Sequence, residues 1–504
     1  MKKIPKIFIL FLILSAAFKC LLLGNVHWIN FDSDQAVMGL MARHTNLQEF
    51  PLFYYGQNYG GGLEHLLAAL AFKVFPPTIE TLRGVALFLL WCCEALFLFG
   101  LHHRSPLDRG QALLATIFFS FGSLSFITFF NVLYGSHLNS LFYMCAWFFL
   151  WSRSENWSDY AFLKGLIIGL GIWHSYFLII YLVPTFIALA ITRKSMPFKS
   201  TLYKWIQFLL SIMIGAAPRI YFWIYPESWR VIHRGSDFYF FFKGLWQKLL
   251  GLFTATLPEF YFANKWSVHD SSLENLTVVF FISILLWSCL LLIWNTLKNI
   301  KKEDRFLPFT FLLLALASAL SLMLASPEGM LAPTRFFYPA HFLISLAFGY
   351  LLPTSYQGIK KIVHLSLVRI LFVVFVLFVS LISIEKITSG QFGGPEFQRK
   401  KILETLNEQN CSIGYADYSW AYLLDFLSSE KTTFIPINTS RIIDYEEKYL
   451  LPTRTSRRCF LLSKSNESAL KQLKSYWINN PDLEVKSWQF EDQFLYVVEK
   501  NKIN

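Results

Sequence analysis

Charge is what this sequence has least of. Asp, Glu, Lys and Arg supply 15% of its 504 residues, against 55% apolar and 18% aromatic, where a soluble globular domain carries about 25% charged residues. That shortage excludes a soluble, fibrous or disordered chain. It describes a polytopic membrane protein, because the apolar residues come in long blocks separated by short polar joints. Internal repeats and low-complexity tracts are missing. The same composition removes the soluble nucleotide-binding classes, and the polar tail has no Gly-rich phosphate loop to support a nucleotide site there.

Metal-ligand spacing is also missing around the cysteines. Of seven, Cys20, Cys92, Cys93, Cys145 and Cys289 lie in apolar runs and read as packing residues. Cys411 and Cys459 stand in the polar tail, where two readings remain open: a disulfide if that tail is exported, or two buried thiols. The opening MKKIPK and the apolar run to Gly24 resemble a signal peptide. No small-residue cleavage site follows, so an uncleaved first helix is expected.

The net charge of +12 raises the question of nucleic acid, and its distribution answers it. Residues 387–504 hold 15 basic and 15 acidic groups, leaving 30 against 18 for the rest. The excess sits at Lys2, Lys3 and Lys6; Arg104 and Arg109; Arg193, Lys194, Lys199 and Lys204; Lys298, Lys301, Lys302 and Arg305; and Lys360, Lys361 and Arg369. Short joints beside apolar runs are where cytoplasmic loops carry positive charge. No nucleic-acid partner is expected.

Spanning helices need about 20 mostly apolar residues. Candidates lie at 5–24, 82–101, 111–130, 136–152, 203–224, 275–297, 306–325, 335–352 and 367–386. The block 161–192 is too long for one crossing and both its flanks read as cytoplasmic, which predicts two short helices breaking near His174. The expected fold is therefore mainly α: a transmembrane bundle of about eleven spans over residues 1–388, with a cytoplasmic N-terminus. Outside loops fall at 25–81, 131–135, 225–274 and 326–334. From 389 to 504 charges become dense and balanced, and short β-rich runs (CSIGYA, TTFIPI, RCFLLS, FLYVV) alternate with helical stretches at 398–409 and 466–478. This predicts a small extramembrane α/β domain on the outer side.

The first outside loop carries the densest chemistry. Asp32 and Asp34 follow the first span closely, and Ala36, Val37, Leu40 and Met41 then recur at helical spacing, describing an amphipathic helix along the bilayer interface. After Pro51 comes an aromatic, Gly-rich turn, then a second helix from Leu63 whose Leu66, Leu67, Leu70 and Ala71 also face the bilayer. The two aspartates admit two readings, helix capping or chemistry as base, acid or a D-x-D cation ligand. Arg335 and Arg83 each open an apolar helix on the same side, where a guanidinium needs an anionic partner, either a protein carboxylate or a lipid-borne phosphate. Lys265 and His269 are weaker candidates. His137 and His174 stand at helix ends, where a structural hydrogen bond and a donor to phosphate or sugar are both open.

The order of these parts resembles that of the polytopic glycosyltransferases of the C-type fold, specifically the bacterial family 39-like enzymes with the dolichyl-phosphate-mannose protein mannosyltransferase type of membrane domain. That family has an acidic motif, usually Asp-Glu before a short helix, in its first external loop. The matching stretch here is Asp34-Gln35-Ala36, with Gln35 in place of the usual Glu. The resemblance implies that Asp34 is the general base; Asp32, two residues before it, is the second candidate catalytic carboxylate. YYGQNYGGGLEHLLAAL is similar to a recurrent bacterial signature, implying acceptor-side roles for Gln57, Tyr59 and Glu64. Arg335-Phe336 resembles the Arg-aromatic step opening a late helix, and YADYSWAYLLDFLS resembles the exported domain of these proteins.

The resemblance implies sugar transfer from a polyprenyl-phosphate-linked donor to an acceptor hydroxyl on protein, glycan or lipid, at the periplasmic face of a bacterial inner membrane and in one inverting step. Arg335, Arg83 and His137 would hold the donor phosphate. No cofactor is required; a divalent metal at Asp32 and Asp34 stays open. The rival is a transporter or flippase of a lipid-linked saccharide, which calls for broken helices in corresponding halves. The sequence offers one break, near His174. A third reading, a membrane-anchored scaffold, has more spans than an anchor needs.

Overall fold

The computed structural model describes residues 4–23, 31–46, 50–57, 60–104, 109–123, 126, 132–133, 137–154, 159–175, 198–225, 341–342, 344–345, 396–437, 442 and 457–500. The expected spans at 275–297, 306–325 and 367–386, the second half of 161–192, and the candidates Arg335, Tyr59, Lys265 and His269 lie outside these residues.

The first part of the chain is helical: α1 (Lys6–Leu23), α2 (Ser33–His44), α3 (Leu63–Phe72), α4 (Ile79–Arg104), α5 (Arg109–Phe121), α6 (His137–Arg153), α7 (Ala161–His174), α8 (Phe198–Gly215) and α9 (Ala217–Ile224). Among the described residues one helix, Ile79–His103, is long and apolar enough to cross a membrane, or two if the bent pair α8–α9 counts as one span. The bundle packs through rings. Phe97 stacks on Phe119 at 4.7 Å and meets Phe342 edge-on at 5.1 Å. Outward, α1 exposes Ile7, Leu10, Ile13, Leu14 and Leu21, while α8 exposes Leu202, Ile206, Leu209, Leu210 and Met213. Apolar stripes of this size aggregate in water and suit hydrocarbon. Inside, the Lys19 ammonium meets the Glu94 carboxylate at 2.5 Å, with Ser15 donating to the same carboxylate at 2.7 Å.

Two expected spans differ: within 111–130, α5 ends at Phe121, and Gly122 and Ser123 lie outside it. Residues 203–224 read as a single helix, but α8 and α9 meet at 66°. Pro218 has no N–H to donate, and its ring would strike the carbonyl four residues back, so the helix breaks before it. The break is held by α7, whose Gly165 and Gly169 let the α8 backbone approach so closely that a Cβ on either would overlap Ser211, Phe208 or Ile212. Small residues four apart permit such contact between membrane helices.

The tail contains α10 (Glu396–Glu408), β1 (Ile413–Ala416), α11 (Tyr418–Leu427), β2 (Thr433–Pro436), β3 (Arg457–Ser463), α12 (Glu467–Ile478), β4 (Leu483–Phe490) and β5 (Gln493–Lys500). Its sheet has the order β2-β1-β3-β5-β4, with β2, β1 and β3 parallel and β5 antiparallel to both β3 and β4. Helix α11 is the crossover that joins parallel β1 and β2. A crossover helix ordinarily turns a polar face to water. Every residue of α11 from Trp420 to Phe426 is buried, because α2 covers the side away from the sheet.

Cys411 and Cys459 are joined by a disulfide, which ties the start of the sheet to β3. The pairing reading of the two tail cysteines is the one the fold adopts.

Candidate functional site

The site is built around the first turn of α2. Asp32 is its N-cap: Oδ1 accepts the Gln35 N–H at 3.0 Å. The capping reading therefore describes Asp32. Asp34, two residues on, lies beside the positive end of the helix and is half-buried. Its carbonyl accepts the Tyr54 hydroxyl at 2.7 Å, and its Oδ1 accepts the Tyr418 hydroxyl at 2.5 Å. Ser33 in turn donates to the Tyr418 carbonyl at 2.5 Å. The first turn of α2 thus meets the first turn of α11.

The contact continues along both helices in the same direction. Gly39 faces the Phe426 ring. Arg43 donates to the Phe426 carbonyl at 2.9 Å, and its guanidinium lies 4.1 Å from that ring's centroid. His44 pairs with Glu430 at 2.8 Å. Helix α2 is accordingly buried on nearly every side. The expectation that its apolar face lies on the bilayer is corrected here, since Val37, Leu40 and Met41 meet protein. Helical spacing reports that a face is covered, and it is silent on whether lipid or protein covers it. For α3 the expectation agrees better: Leu70 is exposed and Leu66, Leu67 and Ala71 are half-buried, with exposed Val74 and Phe75 following.

Arg83, buried on α4, is brought beside this turn, where its Nη2 donates to the buried Gln35 Oε1 at 3.4 Å. Gln35 thus meets a guanidinium one residue beyond Asp34.

The aromatic turn after Pro51 is pinned by the bundle. Tyr54 N–H bonds the Gly60 carbonyl at 2.8 Å, Gln57 N–H closes on Tyr54 at 3.0 Å, and Gly56 and Gly60 take positive φ, a conformation glycine adopts without strain. Below it, the Trp173 indole donates to the Leu52 carbonyl at 2.9 Å. His174 uses both ring nitrogens: Nδ1 donates to Leu170 at 2.7 Å, and Nε2 accepts the Leu63 N–H at 2.9 Å, satisfying a donor at the start of α3. This is the structural reading of His174. Glu64 and His65 are buried in the first turn of α3, and burial pushes the His65 imidazole down to about 4. His137 is buried at the start of α6.

Arg219 escaped the sequence reading. The α8–α9 break turns it inward, fully buried, where Nη2 donates to the Trp173 carbonyl at 2.8 Å and the guanidinium lies 4.7 Å from the Phe53 ring centroid. A lone Arg inside the apolar stretch 203–224 was the available signal. Tyr418 left no comparable signal. Among the described residues no three His, Cys, Asp or Glu side chains converge as a metal set.

No family model and no curated protein matches this sequence. Among solved structures, the chain is similar to the crystal structure of ArnT from Cupriavidus metallidurans bound to undecaprenyl phosphate. The TM-score is 0.61 at 8% identity, over 97% of this chain and 97% of that one. The archaeal oligosaccharyltransferase AglB from Archaeoglobus fulgidus, in complex with an inhibitory peptide and a dolichol-phosphate, matches at TM-score 0.47 and 12% identity, over 97% of this chain and 74% of that one. The ArnT likeness shows that this chain shares that protein's fold.

Proposed function

We propose that the protein is a membrane glycosyltransferase that moves a sugar from a polyprenyl-phosphate-linked donor to an acceptor hydroxyl, with Asp34 as general base. The observation that carries the reading is Asp34 itself. It is a half-buried carboxylate at the N-terminal turn of α2, in a chain that shares its fold end to end with a protein crystallised on undecaprenyl phosphate. Asp32 serves as the cap, so one carboxylate remains for proton transfer.

In this reading Asp34 takes the hydroxyl proton as the acceptor oxygen forms its bond to the anomeric carbon. The bond from that carbon to the phosphate oxygen breaks, and its electron pair leaves on the lipid phosphate, inverting the centre. Negative charge grows on the departing phosphate, so cations stabilise the transition state more than the ground state. Arg83 beside Gln35, and Arg335 and His137 from the sequence, are assigned to that phosphate. Gln57, Tyr59 and Glu64 are assigned to the acceptor.

The active face is assigned to the periplasm of a bacterial inner membrane, with residues 389–504 exported. The Cys411–Cys459 disulfide supports this, since such bonds persist in oxidising compartments. The transporter reading gains a second break, at Gly215–Ala217. That break and the end of α7 at His174 lie on helices packed together, and both brace the turn after Pro51; they do not form a pair in opposite halves.

The test is transfer by the purified protein in lipid nanodiscs, supplied with radiolabelled polyprenyl-phosphate sugars and bacterial envelope acceptors. Label passing to an acceptor is expected. Movement of intact donor across vesicles, without transfer from any donor, would replace the enzyme with the transporter.

A further inference from the structure

The membrane helices and the tail meet most intimately at Asp34, and the residue the tail brings there is Tyr418. Its hydroxyl donates to Asp34 Oδ1 at 2.5 Å, while its carbonyl accepts Ser33 Oγ at 2.5 Å. Its ring packs edge-on against Tyr422 at 5.7 Å, and Tyr422 is fully buried. Tyr418 is therefore held at backbone, ring and hydroxyl. Asp34 is gripped in turn through its own carbonyl by Tyr54. Among the described residues, Oδ2 of Asp34 has no hydrogen-bond partner, although the side chain is half-buried rather than sealed.

Resting on the reading of Asp34 as base, we propose that Tyr418 is a positioning residue for the transfer. By occupying Oδ1 it fixes the carboxylate's two side-chain torsions and leaves Oδ2 as the oxygen that receives the acceptor's proton. A phenol bonded to a carboxylate is a charge-assisted contact, stronger than a neutral one. A base held within a narrow range of angles reacts faster than one that rotates. Tyr418 touches neither substrate nor the reacting atoms in this scheme. It also makes the tail a required part of the site, completing it from 384 residues away.

The scheme requires Tyr418 to affect the chemical step rather than binding. With Tyr418→Phe the ring, the Tyr422 contact and the backbone bond from Ser33 remain, and only the hydroxyl is lost. The expected result is a fall in kcat of about ten- to hundredfold, the kinetic equivalent of one lost hydrogen bond to a charged group, with KM for donor and acceptor unchanged. Glu430→Gln serves as the control for docking, because it weakens the His44 contact at the far end of the same interface. It should leave kcat at the wild-type value. In the Asp34→Glu background, whose carboxylate is shifted from the phenol, Tyr418→Phe should add no further loss.

A wild-type kcat in Tyr418→Phe overturns the proposal, as does an equal loss in Glu430→Gln, which would make the effect one of tail docking. A faster reaction with lower acceptor KM also overturns it, since the hydroxyl would then be a plug that acceptors displace. A full additional loss in the Asp34→Glu background does the same and serves where folding of one variant is in question. Activity surviving in Asp34→Asn is a separate result: it removes the base itself, whatever Tyr418 does.

Discussion

Gly39 of α2 lies against the ring of Phe426 on α11, so close that a Cβ at Gly39 would overlap the ring and also touch Leu82 at 3.0 Å. Phe426 is buried and cannot swing into solvent. Substituting Gly39→Val therefore separates the tail from the first loop or strains both, at about 1–3 kcal/mol for overpacking. The expected outcome is faster limited proteolysis at the junction before α10 and reduced transfer. Unchanged proteolysis and activity would show that the two helices are not held in this register.

The Lys19–Glu94 pair joins α1 to α4 in the apolar bundle. Removing one partner leaves a buried charge without its counter-ion, a loss of about 3–5 kcal/mol, whereas replacing both with apolar residues is often neutral. Lys19→Met alone is expected to lower the thermal midpoint in detergent, and Lys19→Met with Glu94→Leu to recover most of it. Equal destabilisation by single and double variants would count against the pair.

Asp425 gives the tail a pH signature. Burial holds its carboxyl well above the ordinary value; the Phe434 N–H bonded to Oδ1 at 2.6 Å opposes this and nearby Glu430 adds to it. The folded chain thus keeps a proton that the unfolded chain releases above about pH 4. This contribution is complete below the unfolded pKa and is lost as pH rises toward the folded one. Compared with Asp425→Asn, which cannot titrate, the wild-type midpoint should fall as pH rises from acid toward neutrality. Parallel curves for the two proteins would contradict this.

The Cys411–Cys459 bond closes a loop of 48 residues in sequence, and its loss is expected to destabilise the tail by about 2–4 kcal/mol. Cys411→Ser with Cys459→Ser should unfold at lower temperature than the wild type. The wild type, in turn, should change mobility between reducing and non-reducing gels. Identical mobility would mean the thiols stay unpaired in the cell.

Much of the tail was readable because its strands are short, β-branched and aromatic: CSIGYA, TTFIPI, RCFLLS and FLYVV hold β1, β2, β3 and β5. Strand β4 was not, since its apolar alternation slips phase between Val485 and Trp488 and its edge position leaves half of it exposed and only Phe490 buried. Similarly, the break at Gly215 was hidden in a run whose overall hydropathy suits one straight span. Pro218 and Arg219, adjacent in that run, were the local signs of it.

For the site, the sequence carried Asp34 and Arg83 into one neighbourhood, because they stand near the two ends of segment 25–81, which it read as the first outside loop. It left Asp32 open between cap and catalyst, and the structure adds the cap: a side-chain hydrogen bond to an amide three residues away. Tyr418 was unreadable. No spacing relates a tyrosine in the tail to an aspartate in the first loop, and only the all-round apolar character of YSWAYLLDFL hints that α11 is covered on both sides.

The central claim is that Asp34 removes the acceptor's proton. Its most direct measurement is the single-turnover rate of sugar transfer by Asp34→Asn with donor saturating, alongside donor binding by the same preparation. The expected result is donor binding as in the wild type and transfer slowed by about 10²–10⁴-fold, the contribution of a general base. Transfer at the wild-type rate from that variant would contradict the claim.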